Sequence, residues 1–389
     1  MAVINRIAEY FEEMKEWRQH IHANPELDME CHNTAAFVVE KLRAFGVDEI
    51  HEKIGISGVV GIINGQGDGP TIGLRADMDA LPMPEETGLP YASTVDGLMH
   101  ACGHDGHTTM LLGAAKYLAE TRNFTGRVAL IFQPGEEGSG GGRYMAEEGI
   151  FERFNIAQVF GQHSLPKSPV GNIETCKGPL MAAADDFEIH ITGAGGHAAS
   201  PHESVDPLMI AVNLYHNLQS IVTRNVDPMK TVVLSLTQIH SGTTHNVVPE
   251  TAMLAGTVRT FDKDVQTLVV DRMKTIIKGT AEMMGGSAEF IYNYGYPATI
   301  NDDAKTEFAC TVAAEVVGEN RVDGAIAATM GAEDFSYMLE KVPGSYFYIG
   351  NGDSAHLHHT KYDFNDEASP VGASVFARIV ERAQPLGGS

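Results

Sequence analysis

The spacing of apolar residues changes period several times along the chain. From Ile4 to Phe45, apolar and charged residues alternate at helical spacing, interrupted at Asn24-Pro25. That pattern predicts two helices joined by a turn. Trp17, His20 and His22 lie near the break, where packing or surface roles are expected of them. Val59-Val60-Gly61-Ile62-Ile63 and Thr71-Ile72-Gly73-Leu74-Arg75 are short apolar runs bounded by Gly, Asn and Pro, and read as strands. Val128 to Phe132, Val159 to Gly161 and Ser345 to Gly350 have the same texture, while Thr108 to Ala115 reads as a buried helix. Apolar strands alternating with helices predict an α/β class with a mostly parallel sheet.

Between Asp185 and about Tyr294 the texture is different. Phe187 to Thr192 alternates with period two, as a half-exposed strand does. Pro207 to Val222 is an amphipathic helix, Thr231 to Ile239 and Met253 to Thr260 are strands, and Ala288 to Tyr292 is a last strand. Val265 to Met284 is a second long helix, with Leu268, Val269, Met273, Ile276 and Ile277 on its apolar face. The order β-α-β-β-α-β is the ferredoxin-like plan. The expected division is therefore an α/β domain built from residues 1–184 and 295–389, with an α+β domain inserted at 185–294. The tail from Pro385 to Ser389 is expected to fray.

At 389 residues, two domains are the default for such a chain. No run is apolar and long enough for a membrane span. The N-terminus lacks a basic region followed by an apolar one, and four widely spaced Cys make no disulfide framework, so a cytoplasmic location is expected. The formal net charge of −24 repels nucleic acid and anionic membranes. An anionic substrate needs local positive charge, which divalent cations supply.

The densest chemistry lies in Met99-His100-Ala101-Cys102-Gly103-His104-Asp105-Gly106-His107, with one thiol, one carboxylate and three imidazoles. Such groups bind borderline-soft divalent metals, and burying them unpartnered costs several kcal/mol. At the start of the following helix, free N–H groups are expected to favour a Cys102 thiolate. The strand Thr71–Arg75 runs into Asp77 and Asp79, Val128–Phe132 into Glu136 and Glu137, Val159–Gly161 into His163, and Ser345–Gly350 toward His356, His358 and His359. Four strands that each deliver carboxylates or imidazoles just past their ends argue for one metal site at the rim of the sheet. Two rivals remain beside a metal-dependent hydrolase. Cys102 could be the nucleophile of a thiol hydrolase, or the protein could bind metal without turnover.

These motifs together resemble the dinuclear-metal aminoacylase and carboxypeptidase superfamily. The likeness is nearest to the amidohydrolase branch of hippurate hydrolases and auxin–amino-acid conjugate hydrolases. The matching stretches are Arg75 to Pro82, His100 to His107, Phe132 to Gly138, Gly161-Gln162-His163, Gly195 to Ala199, His245 to Glu250, Gly256 to Arg259, Gly331 to Phe335 and His358 to Asp366. The resemblance implies a metallopeptidase-like catalytic domain with an inserted lid and dimerisation domain. Its metal ligands fall on Cys102, His104, Glu137, His163 and His358, and its general base on Glu136. Asp79, and with it Asp77, is expected to orient a ligand His; His100 and His107 are given no role. His197, Asn246 and Arg259 fall on substrate-binding positions, with His197 reaching a partner's site and Asn246 assisting Arg259 on a substrate carboxylate. The implied reaction cleaves N-acyl amino acids with two divalent ions, Zn or Mn, with Co or Ni also suited, in a homodimer. Two positions depart from the family pattern. Gly135 replaces a usual Ala, a change expected to matter little, and Leu357-His358-His359-Thr360 replaces Leu-His-x-Pro.

Overall fold

The computed structural model describes residues 1–387; Gly388 and Ser389, the end of the tail expected to fray, lie outside the described residues. The chain forms two compact units. One comprises Met1–Leu180, Ile300–Ala327 and Asp334–Ser389, the other Met181–Thr299 and Ala328–Glu333. The second is wider than the sequence pattern suggested. Its first strand, Ala183–Thr192, begins at Ala183-Ala184-Asp185-Asp186, which has no apolar alternation to mark it. The short return at 328–333 joins through bonds to its backbone: Ala182 N–H donates to Gly331 O at 2.9 Å and Thr299 Oγ1 to Glu333 O at 3.3 Å.

The first unit is built on an eight-stranded sheet. Its centre is four parallel strands in the order Arg127–Gln133, Thr71–Asp77, Ile156–Leu165 and Gly344–Gly350. Helices such as His104–Thr121 and Ser369–Ala383 pack with these strands into one apolar core, so they are buried nearly throughout and read as continuous apolar runs. Gly58–Asn64 and Glu49–Ile54 extend one edge antiparallel; the two-residue strands Ile173–Glu174 and Val322–Asp323 finish the other. Register aligns the central strands. Arg75 lies beside Ile131 and Gly161, and Gly161 beside Tyr346. Two residues on, Asp77 faces Gln133 and His163 faces Tyr348, so all four carboxyl ends open on one rim.

The second unit has a four-stranded antiparallel sheet in the order Val232–Ser241, Thr251–Thr260, Ala183–Thr192 and Ser287–Tyr296. Helices Pro207–Arg224 and Lys263–Met283 bury Leu214, Leu218, Val269 and Met273 against Phe187, Ile189 and Ile191. This is the ferredoxin-like order read from the periodicity. Both helices start on an aspartate cap: Asp206 accepts from Leu208 N–H and Met209 N–H, and Asp262 from Asp264 N–H and Val265 N–H.

Candidate metal centre

The rim of the parallel sheet collects the candidate ligands. The helix His104–Thr121 begins directly after Gly103, whose φ of +86° is left-handed. A Cβ there would lie 2.6 Å from both Ser164 Oγ and Tyr362 Oη, so only glycine fits the turn that brings Cys102 and His104 to one side.

His104 and His163 are each tied to a backbone carbonyl at Nδ1 and turn Nε2 toward the other donors. His104 Nδ1–H donates to Asp79 O at 2.8 Å, while its buried Nε2 has no hydrogen-bond partner. His163 Nδ1–H donates to Ser164 O at 2.8 Å, leaving Nε2 3.4 Å from Cys102 Sγ. Glu137 Oε1 sits 3.2 Å from His358 Nε2 and 3.9 Å from His104 Nε2. Donor atoms of Cys102, His104 and His163 lie within 4.8 Å of one another, and so do those of Cys102, Glu137 and His358. Cys102 belongs to both sets. The mix of thiolate, imidazole and carboxylate donors, with a buried orphan nitrogen among them, fits two borderline divalent cations.

A layer of buried groups holds these donors. The Asp79 carboxylate accepts from Glu136 N–H and Glu137 N–H, each at 3.0 Å, and so sets the turn that carries both acids. Asp77, two residues before Asp79, is likewise committed to the fold. It accepts from His107 Nδ1–H and Arg75 Nη1–H, each at 2.6 Å. His107 Nε2 in turn accepts from Ser164 N–H at 2.8 Å. Both His107 nitrogens are thereby used, so it links Asp77 to the His163 strand and cannot ligate. Spacing could not reveal this, because His104 and His107 are three apart on one helix face. His100 is buried with neither ring nitrogen partnered, and burial pushes its pKa down to about 3.

The electrostatics reverse one expectation. The helix start does not make Cys102 acidic: burial, then the Glu137 and Glu136 carboxylates, push its thiol well above the usual range. Burial would lower His104, but Asp77 and Asp79 outweigh it and carry its pKa to about 10. His163, buried and beside His107, falls to about 3. A high thiol beside a low imidazole is the opposite of a thiolate–imidazolium nucleophile pair. The same negative field favours a cation at this place, and a cation is what deprotonates such a thiol.

The fold settles the setting of three further positions. His163 lies within its strand, Ile156–Leu165, and not past its end, because the strand runs beyond its apolar stretch. Of the paired histidines, His358 faces Glu137, with φ +60° and its N–H on Ala101 O at 2.8 Å, whereas His359 Nδ1 accepts from Lys361 N–H at 3.1 Å. Gly135 matters more than expected: at φ +68°, a Cβ would meet Met29 Sδ at 2.4 Å.

In the second unit, His197 and Asn246 come together. Gly196–His197 pairs with Val247–Val248, and Ala198 N–H donates to Asn246 O at 3.1 Å. Both side chains are exposed. Arg259 lies elsewhere, near the far end of Thr251–Thr260, with Nη1 donating to Val258 O at 3.2 Å. At about 3.3 Å per residue, Arg259 is roughly 26 Å along the strand from Thr251. Asn246 and Arg259 of one chain therefore cannot grip one carboxylate, which corrects the pairing expected from sequence.

The chain matches Peptidase family M20/M25/M40 over residues 73–382. It is 40% identical over 379 residues to a hippurate hydrolase of Campylobacter jejuni, covering 97% of this chain and 98% of the relative. An N-acetylcysteine deacetylase of Bacillus subtilis is 38% identical over 367 residues, covering 93% and 94%. The fold superposes on a dinuclear metal binding peptidase of the M20 family from Bacillus subtilis with a TM-score of 0.86 at 34% identity, covering 97% and 98%. Among the described residues, no helix is long and apolar enough to cross a membrane.

Proposed function

The chain belongs to peptidase family M20/M25/M40, and from that premise we propose that it hydrolyses N-acyl amino acids of hippurate type to a carboxylic acid and a free amino acid. The observation that carries this reading is the pair of donor sets sharing Cys102, with the buried Glu136 next to Glu137. Cys102, His104 and His163 would hold one divalent ion, and Cys102, Glu137 and His358 the other; Zn or Mn suits these donors best. Ions held there would polarise the amide carbonyl and acidify the attacking water. Glu136, held by its N–H on Asp79, takes the proton of that water and passes it to the leaving nitrogen. Asp79 orients both Glu136 and His104 through separate atoms.

His197 and Asn246 serve a partner's site, with His197 donating to the developing oxyanion, while Arg259 binds the substrate carboxylate. Their separation within one chain supports a homodimer in which the second unit closes as a lid. The four cysteines, Cys31, Cys102, Cys176 and Cys310, are all free, which suits a reducing cytoplasm. The raised Cys102 thiol weighs against the thiol hydrolase, and the placement of Glu136 against a binding-only protein.

A panel of benzoyl, acetyl, indolyl and long-chain N-acyl amino acids, assayed alongside metal analysis of the same preparation, tests the proposal. Amino acid release is expected, lost on chelation and restored by divalent metal. Turnover that survives in metal-free buffer and stops with a thiol reagent would transfer the chemistry to Cys102. Two bound ions without turnover of any panel member would leave only binding.

A further inference from the structure

The helix Phe11–Ala23 carries two buried cationic side chains four residues apart, Arg18 and His22, on one face. Neither belongs to a ligand set, yet their partners sit in the segments that bear the ligands. Arg18 grips Asp366 with a fork, Nε to Oδ1 at 2.7 Å and Nη2 to Oδ2 at 3.0 Å, and reaches Asp363 Oδ1 at 3.1 Å. Its Nη1 also lies 3.7 Å from Asp105 Oδ2. His22 Nδ1–H donates to the same Asp105 oxygen at 2.8 Å, and Nε2 faces Glu85 Oε1 at 3.3 Å. Burial alone would lower His22, but Asp105 and Glu85 carry its pKa to about 9, so it stands charged between two carboxylates.

Asp105 directly follows His104 at the start of the buried helix. Asp363 follows His358 in a stretch, 351–365, that forms no helix or strand, and Asp366 opens the short 3-10 helix Asp366–Ala368 directly after it. His358 itself stands at a left-handed φ, a conformation that surrounding contacts must impose on a non-glycine residue. The Glu85 loop adds one more link, with Glu86 N–H on Thr360 O at 2.7 Å. Cys102 and His104 have other supports, through Asp79 and the Gly103 turn. The irregular segment after His358 is tied by Tyr91 and Asn351 at Asp363 and by Ser164 at Tyr362, and Arg18 adds the bidentate hold at its end, on Asp366.

We propose that Arg18 is a positioning residue that sets His358 against the Cys102–His104 turn and so governs the affinity of one of two cation positions, the one shared by Cys102, Glu137 and His358. The inference rests on the two-ion reading above. Charge alone is not what it needs: a guanidinium fork fixes the plane of the Asp366 carboxylate, and an ammonium does not.

The test uses the full-length protein, stripped of metal and titrated with Co²⁺ alone. Wild type is compared with Arg18→Lys and Asp366→Asn, and bound cobalt and the thiolate-to-cobalt absorption band are followed together. Thermal melts of the same samples report the fold. Wild type is expected to take two ions per chain. In the variants one ion is expected to bind as in wild type, and the other about 10–100-fold more weakly, as for loss of an outer support. Wild-type affinity for both ions in both variants overturns the proposal. Equal weakening of both ions, in step with a lowered melting temperature, also overturns it in favour of a general structural role. One ion per chain in wild type overturns the two-ion reading, and this inference with it.

Discussion

The metal-centre residues of the first unit and the substrate-binding candidates of the second are built in opposite ways. Around the rim, Cys102, His104 and His163 are buried, His358 is exposed, and His104, His163 and the Glu136–Glu137 turn each have a second atom committed to the fold. In the second unit, His197 and Asn246 stand exposed on a two-residue pairing, and Arg259 lies roughly 26 Å along a neighbouring strand. The first arrangement fixes chemistry before a substrate arrives. On the proposed function, the second supplies groups that would act only once another body, substrate or subunit, comes against them. Fixed and borrowed groups should therefore fail differently when removed.

The largest expected effect is on the fixed side. Glu136→Gln should lower kcat by about 10² to 10⁴ with unchanged metal content, since it removes a proton carrier and no ligand. Near-wild-type turnover at full metal occupancy would take Glu136 out of the mechanism. On the borrowed side, His197→Ala should cost roughly 3 kcal/mol of barrier, about 100-fold, again with full metal content. Mixing it with Glu136→Gln under subunit exchange should return part of the activity, because one mixed site regains both groups. No recovery, with exchange shown by native mass spectrometry, places His197 in its own chain's site or in none.

Cys102→Ser addresses the fixed set by binding instead of rate. As the donor common to both sets, its loss should weaken metal by more than the roughly 10–100-fold of an outer-support change. Two ions per chain at wild-type affinity would remove Cys102 from the ligands. The smallest effect separates the units. Asp206→Ala removes a helix cap in the second unit and should cost about 1 kcal/mol of stability in denaturant melts, leaving metal content unchanged. A parallel loss of metal would show that the two units do not fail independently.

Much of this contrast was readable in the sequence. Continuous apolar runs marked the central strands because both of their faces are covered, and the period-two and helical patterns of the insert gave its β-α-β-β-α-β order. The Cys102–His107 cluster and the Glu136–Glu137 pair stood out because those residue types rarely crowd together without a task. What stayed hidden depends on burial and on contacts across long separations. His22 reads as an ordinary helix residue, and only the fold sets it against Asp105, 83 residues away. Sequence gives His107 no role, and only the fold shows both its nitrogens used between Asp77 and Ser164. The Cys102 thiol was misjudged because a helix start lowers a thiol's pKa only when burial and nearby carboxylates do not outweigh it. The separation of Asn246 from Arg259 is a matter of strand length, which motifs do not carry.

The order in which the sheet is written along the chain has a consequence during synthesis. Gly344–Gly350, which pairs with Ile156–Leu165, is encoded after most of the second unit, whose strands and helices end by Tyr296. At ribosomal speeds of about 5–20 residues per second, the stretch from Thr299 to Gly350 takes roughly 3–10 s. Through that interval the insert can already be folded, while the Ile156–Leu165 strand waits with one edge unpaired, the kind of edge that invites aggregation. His358 and the Arg18 partners Asp363 and Asp366 arrive later still. A nascent chain thus presents an incomplete sheet, and the proposed ligand set is complete only once His358 has been made.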